Sequence, residues 1–137
     1  MSVPVPKRGH GELEVNTKAR NLTVYTLHIL ANEKHFPQEQ AAYIDMIRET
    51  AINISALCWE ANNIKVNNDM NRYMRRLSLQ DQAADQCNRL CYLIEIAKQL
   101  FHLETRRVRY WLEQTTELRS YIHAWRDSNA QNLKPTE

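Results

Sequence analysis

The sequence predicts an all-α protein, an up-down-up-down antiparallel four-helix bundle, from two observations. First, helix-breaking residues are nearly absent: both glycines precede residue 12, and Pro37 is the only proline between there and Ser128. Second, apolar residues recur every three or four positions along most of that stretch, which is the period of a helix face and not of a strand. The chain has 137 residues, enough for one domain with its own core. Short connections between the helices favour antiparallel neighbours.

Helix 1 is predicted over residues 17–34, with its N-cap at residue 16 or 17. Residues 1–16 are expected to be a disordered lead-in, because no apolar segment follows Lys7 and Arg8 as it does in a signal peptide. Phe36 and Pro37 end the helix, since a residue before proline resists helical dihedral angles. The expected inner face is Leu22, Tyr25 and Ile29, with Leu27 and Ala31 beside them.

Helix 2 is predicted over residues 38–66 and carries two apolar stripes. The main stripe alternates steps of three and four residues: Ile44, Ile47, Ala51, Ile54, Cys58 and Ala61. The second stripe, Ile52, Trp59 and Val66, repeats every seven residues about a third of a turn away. A helix that is apolar around most of its circumference must be covered nearly everywhere. Either long polar side chains lie over the second stripe or it is an interface between subunits, and we favour the interface.

Helix 3 is predicted over residues 70–101, and helix 4 from about residue 105 to 128, with residues 129–137 as a frayed tail. Asn67, Asn68 and Asp69 before helix 3 are residue types that form turns and cap helices. The expected core stripe of helix 3 is Tyr73, Leu77, Ala84, Cys87, Cys91, Ile94 and Phe101. That of helix 4 is a heptad pattern: Val108, Trp111, Thr115, Leu118, Ile122 and Trp125.

The residues capable of chemistry do not have the spacings that catalysis or metal binding requires. The three cysteines lie at apolar-face positions of predicted helices, which indicates buried reduced thiols in a cytoplasmic protein. Cys87 and Cys91 would supply at most two metal ligands, and Glu95 and Glu104 lack the histidine of a Glu-x-x-His motif. No apolar run approaches the roughly 18 residues that cross a bilayer. We therefore expect no enzyme, metal, cofactor or membrane partner.

Arginine is concentrated at both predicted ends of the bundle, although the net charge is only +2. The three arginines near the start of helix 3 are expected to form one cationic patch, because they lie within about one turn. Concentrated arginine pairs with phosphates, which favours an anionic partner such as a nucleic acid over a merely solvated helix face. The candidate binding residues are Lys65, Arg72, Arg75 and Arg76 at one end and Arg106, Arg107 and Arg109 at the other.

Three segments within residues 17–128 carry a further pattern. They are the Phe36 and Pro37 break, the helix 2 segment Trp-Glu-Ala-Asn-Asn-Ile at residues 59–64, and the helix 4 ending Tyr-Ile-His-Ala-Trp-Arg-Asp-Ser at residues 121–128. In these segments and in its four-helix layout the chain resembles the Avd-like family. Its members are the accessory variability determinants of diversity-generating retroelements, relatives of the proteins encoded in ribosomal-RNA intervening sequences.

The resemblance implies a ring-shaped homopentamer that associates with a reverse transcriptase and its RNA template or cDNA. In that family the complex supports copying of the template RNA into error-bearing cDNA during mutagenic retrohoming. The resemblance implies no catalytic residues, and the matching basic positions are Arg72, Arg75, Arg76, Arg106, Arg107 and Arg109. The alternative is a protein–protein scaffold or structural bundle without a nucleic-acid role.

Overall fold

The structure is a computed structural model that describes the backbone of residues 4–131 and the side chains of residues 14–131. Over this part of the chain it contains helices and no strands. The helices are α1 (Pro4–Leu30), α2 (Ala41–Asn63), α3 (Met70–Phe101) and α4 (Thr105–Gln131), and a 3-10 turn (Gln38–Gln40) precedes α2. They pack against each other as a four-helix bundle, in which α1 and α3 each contact both α2 and α4.

Hydrogen-bonded pairs run in opposite residue order along neighbouring helices. Between α1 and α4 they are Lys18 with Glu117 and Thr26 with Trp111, and between α2 and α3 they are Thr50 with Arg89 and Ala61 with Arg76. Between α3 and α4 they are Asp81 with Arg126 and Asn88 with Arg119. The connection from α2 to α3 therefore lies at the same end as the last turn of α4. The start of α4 lies at the opposite end.

The main apolar stripe predicted for α2 and the heptad pattern predicted for α4 are buried at every position, which confirms both. In α3 the predicted Leu77, Ala84, Cys87, Ile94 and Phe101 are buried as well. Tyr73 and Cys91 are only half-buried, and Leu90 and Leu93 join the core instead. The heptad patterns succeed because each of these helices presents one continuous apolar seam to its neighbours.

The prediction for helix 1 is wrong in its bounds. The helix starts at Pro4 and ends at Leu30, so the backbone from residue 4 to 16, expected to be a disordered lead-in, is helical. Proline in a first turn costs little, because the N–H it lacks would have no helical acceptor. Val15, assigned to the lead-in, is 1% exposed, and burial of such a residue stabilises the helical conformation around it. Residues 1–3 lie outside the described residues.

The predicted inner face of helix 1 is confirmed at Leu22 but is wrong at most of its other positions. Its buried side chains are Val15, Ala19, Leu22, Thr26 and Leu30. Tyr25, Leu27 and Ile29 are half-buried, and Ala31 is exposed. The prediction misses the true seam because a polar residue, Thr26, occupies one of its central positions.

The turns and helix ends follow local residue chemistry. Asn67 and Asn68 have positive φ angles of 46° and 61°, and the Asp69 side chain caps α3 by accepting from the N–H of Asn71 and Arg72, as predicted. The predicted break after helix 3 is confirmed by His102, a left-handed residue with φ 56° that closes the helix as glycine commonly does.

Two other helix bounds differ from the prediction. α2 begins at Ala41 after the 3-10 turn and ends at Asn63, so Val66 does not continue its face. α4 runs to Gln131, three residues into the expected frayed tail, because Asn129 is buried against α3. Residues 132–137 lie outside the described residues.

Candidate functional site

A groove of about 580 Å³ lies at the end of the bundle where α2 leads to α3. We call this groove the end groove. It is lined by Trp59, Glu60, Asn63, Ile64, Lys65, Arg72 and Arg75. Trp59 lies in the last turns of α2 and is 64% exposed. The groove thus combines a large aromatic surface with three cations and one carboxylate.

Two of the three end-groove cations have no acidic partner among the residues that the structure describes. The guanidinium Nη1 of Arg72 donates to the backbone oxygen of Lys65 at 2.9 Å, and its Nε lies 3.8 Å from Asp69 Oδ2. This pair orients Arg72 along the turn and offsets part of its charge. The side chains of Lys65 and Arg75 are exposed and form no hydrogen bond or ion pair with any residue that the structure describes.

Arg76, predicted to belong to the same cationic patch, does not line the groove. Its guanidinium donates to the backbone oxygen of Ala61 at 3.0 Å, to that of Ile64, and to Asn129 Oδ1 at 3.4 Å. The last carbonyl groups of a helix lack intrahelical donors and carry partial negative charge, so a half-buried guanidinium is a favourable partner for them. Arg76 therefore stabilises the junction of α2, α3 and α4, and the prediction of a patch that includes it is wrong.

Three cations outside the end groove, on α1 and α4, are paired with acceptors of the same chain. Lys18 Nζ lies 3.2 Å from Glu117 and 4.8 Å from the centre of the Tyr121 ring. Arg126 forms a two-pronged ion pair with Asp81 at 3.0 and 3.3 Å, on the side of α3 next to α4. Arg119 donates to the amide oxygen of Asn88 at 2.6 Å, about two turns further along the bundle. Lys18, Arg119 and Arg126 would each have to leave an acceptor of the chain before binding an external anion.

The second group of candidate residues lies in the first turns of α4, at the opposite end. Arg106 and Arg109 are exposed, and Arg107 is half-buried beside Tyr25, where its charge opposes the rise in the Tyr25 pKa that burial causes. Cations at a helix N-terminus add to the positive end of the helix dipole, an unfavourable position. At about 1.5 Å per residue, the length of α4 separates this group from the end groove by roughly 40 Å. The seven candidates therefore do not form one surface.

A second groove, of about 330 Å³, runs between α1 and α2. We call it the α1/α2 groove. It is lined by Asn16, Arg20, Thr23, Val24, Ile52, Ser55, Ala56 and Trp59. Val24 on α1 is 47% exposed, and Ile52, from the second apolar stripe of α2, is 42% exposed. Val66 lies beyond the helix, is half-buried and does not line this groove, which leaves it outside the expected apolar surface.

Sequence reasoning missed Val24 and Arg20 as groove residues. Their position on α1 could have indicated this role, because both lie beside the buried face of the helix, on the side next to α2. That signal depends on the correct phase of α1, which the polar Thr26 obscured.

The cysteines are free thiols, with Cys58 and Cys87 buried and Cys91 half-buried. Burial raises the pKa of Cys58 to about 12 and raises the pKa values of the other two thiols above their ordinary value. A thiol held in its neutral form is a poor nucleophile. Within the described residues, no three histidine, cysteine, aspartate or glutamate side chains come together as a metal-ligand group.

The fold and its surfaces together define a small helical bundle with an apolar groove on one face and cationic residues at both ends. None of the helices among the described residues is long and apolar enough to cross a membrane. Comparison with known proteins yields no matching family model, no matching curated protein and no matching solved structure.

Proposed function

We propose that this protein is a non-catalytic accessory factor of a retroelement reverse transcriptase. In this proposal the chain is an up-down-up-down antiparallel bundle that assembles into a ring-like homo-oligomer. Its basic surface binds the polymerase and the RNA template or cDNA, and thereby supports mutagenic retrohoming. The observation that carries the proposal is that an exposed apolar groove adjoins cations that have no acidic partner in the described part of the chain. The similarity of residues 59–64 and 121–128 to the Avd-like family supplies the polymerase as the specific partner.

The α1/α2 groove supports self-association. Val24 and Ile52 are large apolar side chains exposed on adjacent helices, and removing apolar surface from water stabilises an assembly by roughly 25 cal/mol per Å². A groove that receives a different surface of the next subunit makes a heterologous contact, and such contacts generate rings when the rotation closes. Ile52 and Val24 are therefore the proposed centre of the subunit interface, with Trp59 at its border.

The positions of the cations support an anionic partner. Lys65 and Arg75 at one end, and Arg106 and Arg109 at the other, are exposed and form no ion pair within the described residues. Assembly of several subunits repeats these charges around a ring. A phosphate-rich strand or an acidic face of a polymerase would then contact several copies at once, which strengthens binding without any new type of contact.

Light scattering and copurification with the reverse transcriptase test the proposal. Ile52→Asp places a charge in the α1/α2 groove and should convert the oligomer to a monomer that no longer retains the polymerase. The matched control is Asn53→Asp, one residue further along α2, because Asn53 is exposed and lines a different groove. A wild-type monomer, or an oligomer that fails to retain the reverse transcriptase of a diversity-generating retroelement, would contradict the proposal.

The contacts of Arg72 and Arg76 favour a second candidate function, a protein–protein scaffold without a nucleic-acid role. Both side chains serve backbone carbonyl groups of their own chain, so part of the arginine content is structural. A stable complex with a protein partner, together with no retention of RNA or DNA at low salt, would select this function.

A further inference from the structure

We propose that the end groove is a subsite for single-stranded nucleic acid, in which an unpaired base stacks on Trp59 while phosphates pair with Lys65, Arg72 and Arg75. The inference rests on the proposed nucleic-acid role and specifies the residues and the form of the ligand. RNA and single-stranded DNA share the chemistry that such a groove recognises, namely a base with an aromatic face and a charged backbone.

The exposure of Trp59 is the first observation. It is 64% exposed, whereas Trp111 and Trp125 are 0% and 6% exposed in the core. An indole contributes a large apolar area, and leaving it in water forfeits the stabilisation that its burial would give. An exposed aromatic ring next to cations is the arrangement on which proteins stack single-stranded bases.

The charges around the indole are the second observation. Three cations and one carboxylate, Glu60, line the groove, so the lining favours an anion. Arg72 is held in place by its hydrogen bond to the Lys65 backbone at 2.9 Å, which reduces the freedom lost when it binds a phosphate. Arg75 and Lys65 form no ion pair within the described residues, and no internal partner has to be displaced from them.

The size and shape of the groove are the third observation. Its volume of about 580 Å³ falls within the range of small-ligand sites and accommodates a nucleotide. Stacking on Trp59 requires a base whose face is accessible, and the bases of a duplex are already stacked on each other. The groove therefore distinguishes a single strand from a duplex of the same charge.

Trp59 also borders the α1/α2 groove, so its role must be separated from self-association. Leucine in its place keeps an apolar side chain for a subunit contact but removes the aromatic face. Phenylalanine keeps an aromatic face and removes the indole fluorescence. Trp59→Leu is therefore expected to preserve the oligomer measured by light scattering while weakening the nucleic-acid complex.

Tryptophan fluorescence and fluorescence anisotropy test the inference directly. The probes are labelled oligouridylate and oligothymidylate of about ten nucleotides and a duplex of the same length. Both single strands should quench the emission of Trp59 and the duplex should not, and the relative affinities of the two single strands identify RNA or DNA as the preferred ligand. Trp59→Phe should bind without this quenching, and Trp59→Leu should bind about 5- to 150-fold more weakly.

Salt dependence tests the phosphate contacts. Three phosphate contacts to a single strand predict a slope of log affinity against log salt of about −2, and Arg75→Gln should reduce its magnitude by about 0.7. The control is Arg48→Gln, because Arg48 lies towards the other end of α2 and pairs with Asp45. Arg48→Gln should leave the slope within about 0.2 of the wild-type value.

Four results would overturn the inference. Equal quenching by the duplex would exclude stacking, and disassembly of Trp59→Leu would assign the indole to the subunit contact. Salt-dependent binding that Trp59→Leu leaves unchanged would place the strand elsewhere on the protein, and the proposed accessory function would still stand. No binding of any probe at low salt would reject this subsite together with the nucleic-acid part of the proposed function.

Discussion

Replacing Arg76 by methionine should lower the free energy of unfolding by about 2–4 kcal/mol. Methionine retains most of the aliphatic stem but removes the donors to the Ala61 and Ile64 carbonyl oxygens and to the Asn129 side chain. A hydrogen bond from a charged donor contributes about 1.5–3 kcal/mol, and an orphaned buried acceptor costs about 1–3 kcal/mol. Because Arg76 is half-buried, water can hydrogen-bond to some of the acceptors that the substitution leaves unpaired. The expected loss of stability is therefore well below the summed free energies of three charged hydrogen bonds.

Urea unfolding followed by circular dichroism, at one fixed protein concentration, measures this loss. The matched control is Arg75→Met, one residue earlier in α3, whose side chain is exposed and contacts none of the α2 carbonyl groups. A surface substitution of this kind should change the free energy of unfolding by no more than about 0.5 kcal/mol. Equal small losses in the two variants would refute the assignment of Arg76 to the end of α2.

Three further predictions concern the core, a helix cap and a buried thiol. Thr26→Val removes the acceptor of the Trp111 indole N–H, a core hydrogen bond of 3.0 Å, and should cost about 1–3 kcal/mol in urea unfolding; an unchanged midpoint would count against this bond. Asp69→Ala removes the side-chain cap of α3 and should cost about 0.5–2 kcal/mol by the same assay, whereas Asp69→Asn, which can still cap, should lose less. Burial raises the pKa of Cys58 from 9.0 to about 12, so the folded protein keeps this thiol protonated where the unfolded chain ionises. The free energy of unfolding should therefore fall between pH 9 and 12, by up to about 1.4 kcal/mol per pH unit from this group, and identical pH profiles of the wild type and Cys58→Ala would exclude that contribution.

The helix seams were predictable where burial and apolar character coincide. Every position of the predicted main stripe of α2 and of the α4 heptad is buried, because a helix that packs on two neighbours repeats its apolar residues with the helical period. Apolar periodicity did not predict the buried face of α1, because Thr26 on that face is polar. Thr26 is fully buried, and its hydroxyl oxygen accepts a hydrogen bond from the Trp111 indole. From the sequence, a polar residue at such a position is predicted to be exposed, because its hydrogen-bond partner lies on another helix.

The kinds of residues on the candidate surfaces were predictable from the sequence, but the full set of residues that lines each groove was not. The sequence places Ile52 and Trp59 on a second face of α2, and that face is exposed in the monomer. It does not show that Val66 leaves the helix or that Val24 of α1 completes the groove, because both depend on where a helix ends and how its neighbour is rotated.

The sequence by itself determined that the chain forms long amphipathic helices, roughly where the connections between them lie, and which residue types remain available for binding. Local periodicity and turn chemistry contain that information. Only the tertiary structure decided which arginines are available, as adjacent residues of α3 demonstrate. Arg76 turns towards the carbonyl groups at the end of α2, whereas Arg75 turns towards solvent in the end groove. Residue type and charge are the same, and the difference arises from the acceptors that a neighbouring helix brings within hydrogen-bond distance of one of them.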